Sequence, residues 1–221
     1  MIPIKQRPEP DFFDKKVRTP GDAFLQKAAK SQNTSMPKLT SDQWKRHDEW
    51  KHIRAYMHGV YQGICAYSAH WIPRSANPNI DHFVPKSVDP WLAYEWSNYR
   101  LTCPLANTHK KDYQDVLDPF TIEKNWFFLD FPSLMLKPNP ELPIQIQEQI
   151  EASIKRLKLN EDEAFIDDRD AWLKRYCLGR IKFHELKRVA PFTAYELERQ
   201  KLVEGIKTIM RYISDEEDEE A

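Results

Sequence analysis

The chain carries Ile80-Asp81-His82-Phe83-Val84-Pro85-Lys86-Ser87 and, after a connection, Trp96-Ser97-Asn98-Tyr99-Arg100-Leu101-Thr102-Cys103-Pro104-Leu105-Ala106-Asn107-Thr108-His109-Lys110-Lys111-Asp112. Asp81 is an oxygen ligand for a hard cation such as Mg²⁺. His82 is the type of side chain that is neutral near pH 7 and takes a proton from water. Neighbours on a strand point to opposite faces, so the two share a site only where the strand ends or bends. Val84-Pro85 supplies that ending, because Pro85 cannot donate to a ladder and restricts Val84. Asn107 offers a carbonyl oxygen to the same cation, and one carboxylate with one amide suffices for an ion that keeps several waters. A short helix is predicted over residues 104–113, with Pro104 in its first turn. Lys110 lies three residues after Asn107 on the same helical face and is placed to hold a phosphate. Lys86, Arg100 and Lys111 add positive charge for a nucleic acid. The set is what metal-assisted cleavage of a phosphodiester needs.

The stretch resembles the catalytic core of HNH nucleases, the ββα-metal family. The resemblance implies that Asp81 binds the metal, His82 is the general base, Asn98 orients that base by hydrogen bonding and Asn107 is the second metal ligand. Lys110 matches a frequent lysine after that ligand. The Asp-His-x-Val-Pro-Lys-Ser order is also similar to the HNH domain of RNA-guided CRISPR nucleases. More loosely, Gly63 to Ser68, Ala93 to Asn98 and Leu159 to Glu163 look like segments of stand-alone prokaryotic HNH proteins. Some of those act beside an ATPase subunit in anti-phage systems such as Septu. The implied cofactor is Mg²⁺, with Mn²⁺ as substitute, and the implied substrate is DNA, with RNA as the alternative.

Many relatives carry two Cys-x-x-Cys zinc knuckles. Here the corresponding stretches read Cys65-Ala66-Tyr67-Ser68 and Cys103-Pro104-Leu105-Ala106, each keeping one cysteine. Structural zinc takes four ligands, so no structural zinc is expected. Tyr67, Trp71, Trp91 and Trp96 are expected to replace it by packing, with the cysteines buried as small hydrophobes. His109 is open between phosphate contact, metal contact and a surface position. His47, His52 and His58, with Arg46, Lys51 and Arg54, read as a solvated basic face.

Of the 221 residues, 41% are hydrophobic and 30% charged, the balance of a globular chain. Three cysteines without paired spacing point to a reducing cytoplasm. No apolar leader and no membrane-spanning run is read. The net charge is −1, but Asp215 to Glu220 contribute six negative charges, leaving a body of +5. That acidic tail, residues 214–221, reads as disordered, serving solubility or competing with nucleic acid for a basic cleft.

The expected class is α+β, a small ββα-metal module embedded in a mainly helical domain. Residues 1–60 form an N-terminal extended arm and helices, 61–131 the nuclease module, 132–213 a helical region and 214–221 the tail. Residues 1–20 are expected extended, with a short helix over 21–30. Thr40-Ser41-Asp42-Gln43 resembles a capping box before a helix running to His58, with Trp50, Ile53 and Met57 as its apolar stripe. Residues 67–71 and 79–83 are expected to pair as antiparallel strands. The connection over 86–99 carries Trp91, Tyr94 and Trp96, read as core anchors in preference to base-stacking groups. Residues 125–131 read as a strand and 132–143 as turns. Helices follow on the face Ile146, Ile150, Ile154 and Leu157, then behind an Asn160 cap with Phe165, Trp172, Tyr176 and Phe183. Another follows Pro191, with Leu202, Ile206, Ile209 and Ile213.

The competing function classes are a metal-dependent DNA endonuclease of a defence or restriction system, a non-catalytic nucleic-acid-binding or structural subunit of an ATPase complex, and an RNA-cleaving HNH nuclease. All four motif residues, Asp81, His82, Asn98 and Asn107, are present, which favours the enzyme.

Overall fold

A computed structural model describes residues 1–212. The architecture is α+β, with two small antiparallel sheets among helices. The chain forms two compact units, each discontinuous in sequence. One comprises residues 5–64 and 72–114. The other comprises residues 1–4, 65–71 and the described residues from Asp115 on. Residues 61–131, expected as one module, are divided between them. The acidic tail and Ile213 lie outside the described residues.

The first unit opens with a π-turn over Asp14–Arg18 that runs into α1, Thr19–Gln32. Residues 1–20 are therefore extended only as far as Pro10. Pro20, which has no N–H to give, sits directly after the wide π-turn, where an ordinary helical bond is not required of it. Asn33 ends α1 in the left-handed conformation. The Thr40 capping box forms as the sequence predicts, with the Gln43 N–H donating to Thr40 Oγ1 and the Thr40 N–H to Gln43 Oε1. The helix behind it is shorter than expected. α2 spans Ser41–Arg46, a 3₁₀ turn covers Glu49–Ile53, and α3 spans Arg54–Val60. Tertiary contacts break the helix at His47: its ring stacks on Phe24 with centroids 3.7 Å apart, and its carbonyl accepts from the Tyr94 hydroxyl. Nor are the histidines one solvated face, since His58 is buried and bonded to the Ile72 carbonyl.

β1 spans Asn79–His82, β2 spans Tyr99–Thr102, and α4 spans Pro104–Lys110. β1 and β2 pair antiparallel with Asp81 opposite Arg100 and His82 opposite Tyr99. The partner of β1 is thus β2, not residues 67–71. Those residues turn instead, closed by Ala69 N–H to the Cys65 carbonyl, with Ala69 at φ 57°. α4 stops at Lys110 because Lys111 takes φ 47°. The long connection holds two 3₁₀ turns, Pro90–Tyr94 and Trp96–Asn98. Tyr94 and Trp96 are buried with Phe13, Ile53, Met57 and Tyr99, so they anchor the loop as core residues. Trp91 is half-buried and donates from Nε1 to the Ser35 carbonyl.

In the second unit β3, Phe127–Asp130, pairs antiparallel with β4, Met135–Pro138. The stretch expected as turns therefore holds a strand. α5 spans Ile144–Arg156 and buries Ile150 and Ile154, with Leu157 just beyond its end. α6 spans Glu163–Cys177, capped by Asp162, whose carboxylate accepts from the Ala164 N–H. Asn160 is not the cap. Its side chain pairs both backbone groups of Leu136, at 2.8 Å each. The expected long helix stops at Cys177, with Gly179 at φ 72°, and α7 begins at Phe183 and runs to Val189. α8 spans Pro191–Arg199 and α9 spans Ile206–Met210, so the last predicted helix is two. Tyr67 is buried, but Trp71 is 38% exposed and does not serve as packing in place of a zinc. Among the described residues no helix is long and apolar enough to cross a membrane.

Candidate active site

The order β1, long loop, β2, α4 brings the motif residues into one unit. Asp81 and His82 are the last two residues of β1. Asp81 is 5% exposed and turned toward α4, where Lys110 Nζ lies 3.5 Å from Oδ2. Lys110 is fully buried and also donates to the His82 carbonyl at 3.0 Å. The structure therefore engages this lysine inside the site, on Asp81 and β1, where the sequence reading had it reaching for a phosphate. Burying a lone ammonium is costly, and the carboxylate with the carbonyl offsets that cost.

His82 is 7% exposed. Its Nε2 donates to the Ala93 carbonyl at 2.9 Å, which sets the tautomer and leaves Nδ1 carrying the lone pair. The same carbonyl accepts from the Tyr99 hydroxyl at 2.6 Å. The imidazole lies edge-on to Trp50 and Tyr99, with centroids 4.6 and 5.2 Å away. Burial holds its pKa well below the ordinary histidine value, and the Lys86 ammonium pushes it the same way. The ring is a neutral base at physiological pH.

Asn98 does not touch His82. Its Oδ1 accepts from the Val84 N–H at 2.7 Å, and its Nδ2 donates to the Val84 and Leu92 carbonyls at 3.0 Å. It ties the two ends of the loop together one residue from Ala93, whose carbonyl holds the His82 ring. The amide's donors and acceptor are all spent on the backbone, so the direct hydrogen bond to His82 that the resemblance implies is not made.

Arg100 is buried, donating to the Ser97 and Tyr99 carbonyls at 2.7 and 2.9 Å and lying over the Phe83 ring. It is built into the hairpin. Lys86 lies with Nζ 4.3 Å from the Trp50 ring centroid and 5.5 Å from that of Trp44. Burial lowers its pKa, and Asp81, Asp112 and Asp48 act against that. Lys111 is exposed just past α4, and His109 is half-buried on it.

Asn107 is half-buried on α4, one turn before Lys110, and α4 packs on β1. A hard cation that keeps most of its waters would need only two such oxygen donors, the Asp81 carboxylate and the Asn107 amide. Among the described residues no group of three or more His, Cys, Asp or Glu side chains could hold a metal ion. Cys65, Cys103 and Cys177 are not joined in disulfides.

Sequence reasoning missed Trp50, Tyr99 and the Ala93 carbonyl as the walls and anchor of the His82 ring. Trp50 carried only an apolar-stripe signal, and a backbone carbonyl carries none. The sequence matches no family model, and no curated protein matches it.

Proposed function

We propose that the protein is a metal-dependent HNH-type endonuclease that hydrolyses phosphodiester bonds in DNA, working as the effector of a defence or restriction-type system. The observation that carries the reading is His82: a buried, neutral imidazole anchored through Nε2, beside Asp81 at a strand end, in a β1–loop–β2–α4 order with Asn107 on the helix. Asp81 and Asn107 would hold Mg²⁺, which supplies charge stabilisation at the phosphate when bound. His82 accepts the proton of the attacking water at Nδ1. Ala93 and Tyr99 hold the ring so that Nδ1, not Nε2, is the base. Lys110 fixes Asp81 and the β1 carbonyl beside it. Lys86 places positive charge next to both. The defence role and an ATPase partner rest on the resemblance alone.

A second reading, a non-catalytic nucleic-acid-binding subunit, is favoured by one feature: the Lys110 ammonium already neutralises Asp81, which weakens a cation's hold on it. Incubating the purified protein with supercoiled plasmid, and separately with RNA, in Mg²⁺ or Mn²⁺ decides between the two. Metal-dependent nicking that EDTA abolishes and that Asp81→Ala lacks supports the nuclease. Binding without nicking of either nucleic acid, in any metal, supports the second reading.

A further inference from the structure

We infer that a groove between the segment joining α1 to α2 and the loop after β1 takes one unpaired nucleotide of the strand being cut, its phosphate at Lys86. The inference rests on the nuclease reading. The groove has a volume of about 570 Å³, inside the range of about 300–1,000 Å³ typical of small-molecule sites. Met36, Leu39, Val88 and Pro90 give it apolar walls, while Lys38 and Lys86 bring positive charge and Asp112 a negative one. Met36 and Val88 are 45% and 39% exposed, the only large apolar side chains so exposed in this unit among the described residues. Trp91 fixes the Ser35 carbonyl and with it the Met36–Pro37 wall, and Ser87 donates to Asp112 on the facing side, so the walls are tied before any ligand arrives.

Lys86 connects this groove to the chemistry. It lines the groove, and its ammonium lies 4.3 Å from the centroid of the Trp50 ring, which also meets the His82 imidazole, with centroids 4.6 Å apart. A phosphate held by that ammonium would lie one ring away from His82, and the nucleotide it belongs to reaches the apolar walls. A base in a duplex has its faces covered by its neighbours. Only a single strand, or an extruded nucleotide, offers a free face to Met36 and Val88. The net positive charge suits a phosphodiester.

The test uses the full chain carrying His82→Ala, with a short fluorescein-labelled single strand and the matching duplex, followed by anisotropy. Val88→Glu and Met36→Glu weaken single-strand binding about tenfold, the worth of one base contact, and leave duplex binding nearly unchanged. Both side chains are exposed, so melting temperatures stay at the parent value. Single-strand affinity that is absent, or unmoved by both substitutions, overturns the groove, even if the wild-type chain nicks plasmid and the nuclease reading stands. Single-strand affinity that falls in both variants, beside a wild-type chain that never nicks plasmid, keeps the groove as a single-strand site while removing the nuclease reading.

Discussion

Lys110 shows how a residue's meaning changes between sequence and fold. Its spacing from Asn107 put it on the correct helical face, yet its ammonium is fully buried against Asp81 and the His82 carbonyl. Spacing sets direction, but depth depends on what packs above. Lys110→Met should therefore cost stability, because it takes the ammonium away from the buried Asp81 carboxylate and the His82 carbonyl. Breaking such a pair costs about 3–5 kcal/mol, measurable as a lower denaturation midpoint. A wild-type midpoint would mean that Asp81 does not depend on Lys110. Asn98 teaches the same lesson. The sequence marked it as a hydrogen-bonding residue, but its partners are the Val84 and Leu92 backbones. Asn98→Asp replaces the donor that serves two carbonyls by a third acceptor. It should lower stability by about 1–3 kcal/mol for each group left unsatisfied. A variant of unchanged melting temperature would remove the clamp.

Elements with local signals were legible, and those set by distant contacts were not. The Thr40–Gln43 box is a four-residue device and forms as read. The end of α2 at His47 depends on Phe24 and Tyr94, far away in sequence, and no propensity marks it. Residues 67–71 alternate well enough to look like a strand, but the left-handed Ala69 closes them into a turn and β2 becomes the partner of β1. α1 carries another such contact. A Cβ added at Gly21 would lie 2.2 Å from Tyr94 Cγ, in the loop that also holds His82. In an open helix Gly→Ala gains about 0.5–1 kcal/mol. Here the methyl must displace a buried ring, and overpacking costs about 1–3 kcal/mol. Gly21→Ala should thus be destabilising in urea titration. A raised midpoint would show that α1 and the loop part freely.

At the scale of the whole molecule, the motif unit and the second unit divide the chemistry. The second unit holds a buried polar group unrelated to the nuclease reading. Burial lowers the His70 pKa to about 3, and Arg169 acts the same way. Asp168 lies 3.8 Å from Nδ1, but its own carboxyl is raised by burial and does not counter this. The unfolded chain protonates His70 as pH falls through about 6.5, while the folded chain keeps it neutral down to about 3. Stability should therefore fall from pH 6.5 toward 3, and His70→Gln should flatten that slope in melts recorded across the range. An unchanged slope would place the acid sensitivity elsewhere. The charge of the chain points the same way as the motif. Set apart from its six terminal acids, the body carries +5, which suits a nucleic-acid substrate.

The most direct measurement is the rate of plasmid nicking by His82→Ala beside the wild-type chain, in Mg²⁺, with the melting temperature of both. Loss of a general base lowers the rate by about 10²–10⁴-fold, and that loss, in a variant that still folds and binds DNA, is the expected result. Nicking by His82→Ala at the wild-type rate would contradict the assignment of His82 as the base and with it the nuclease site built around it.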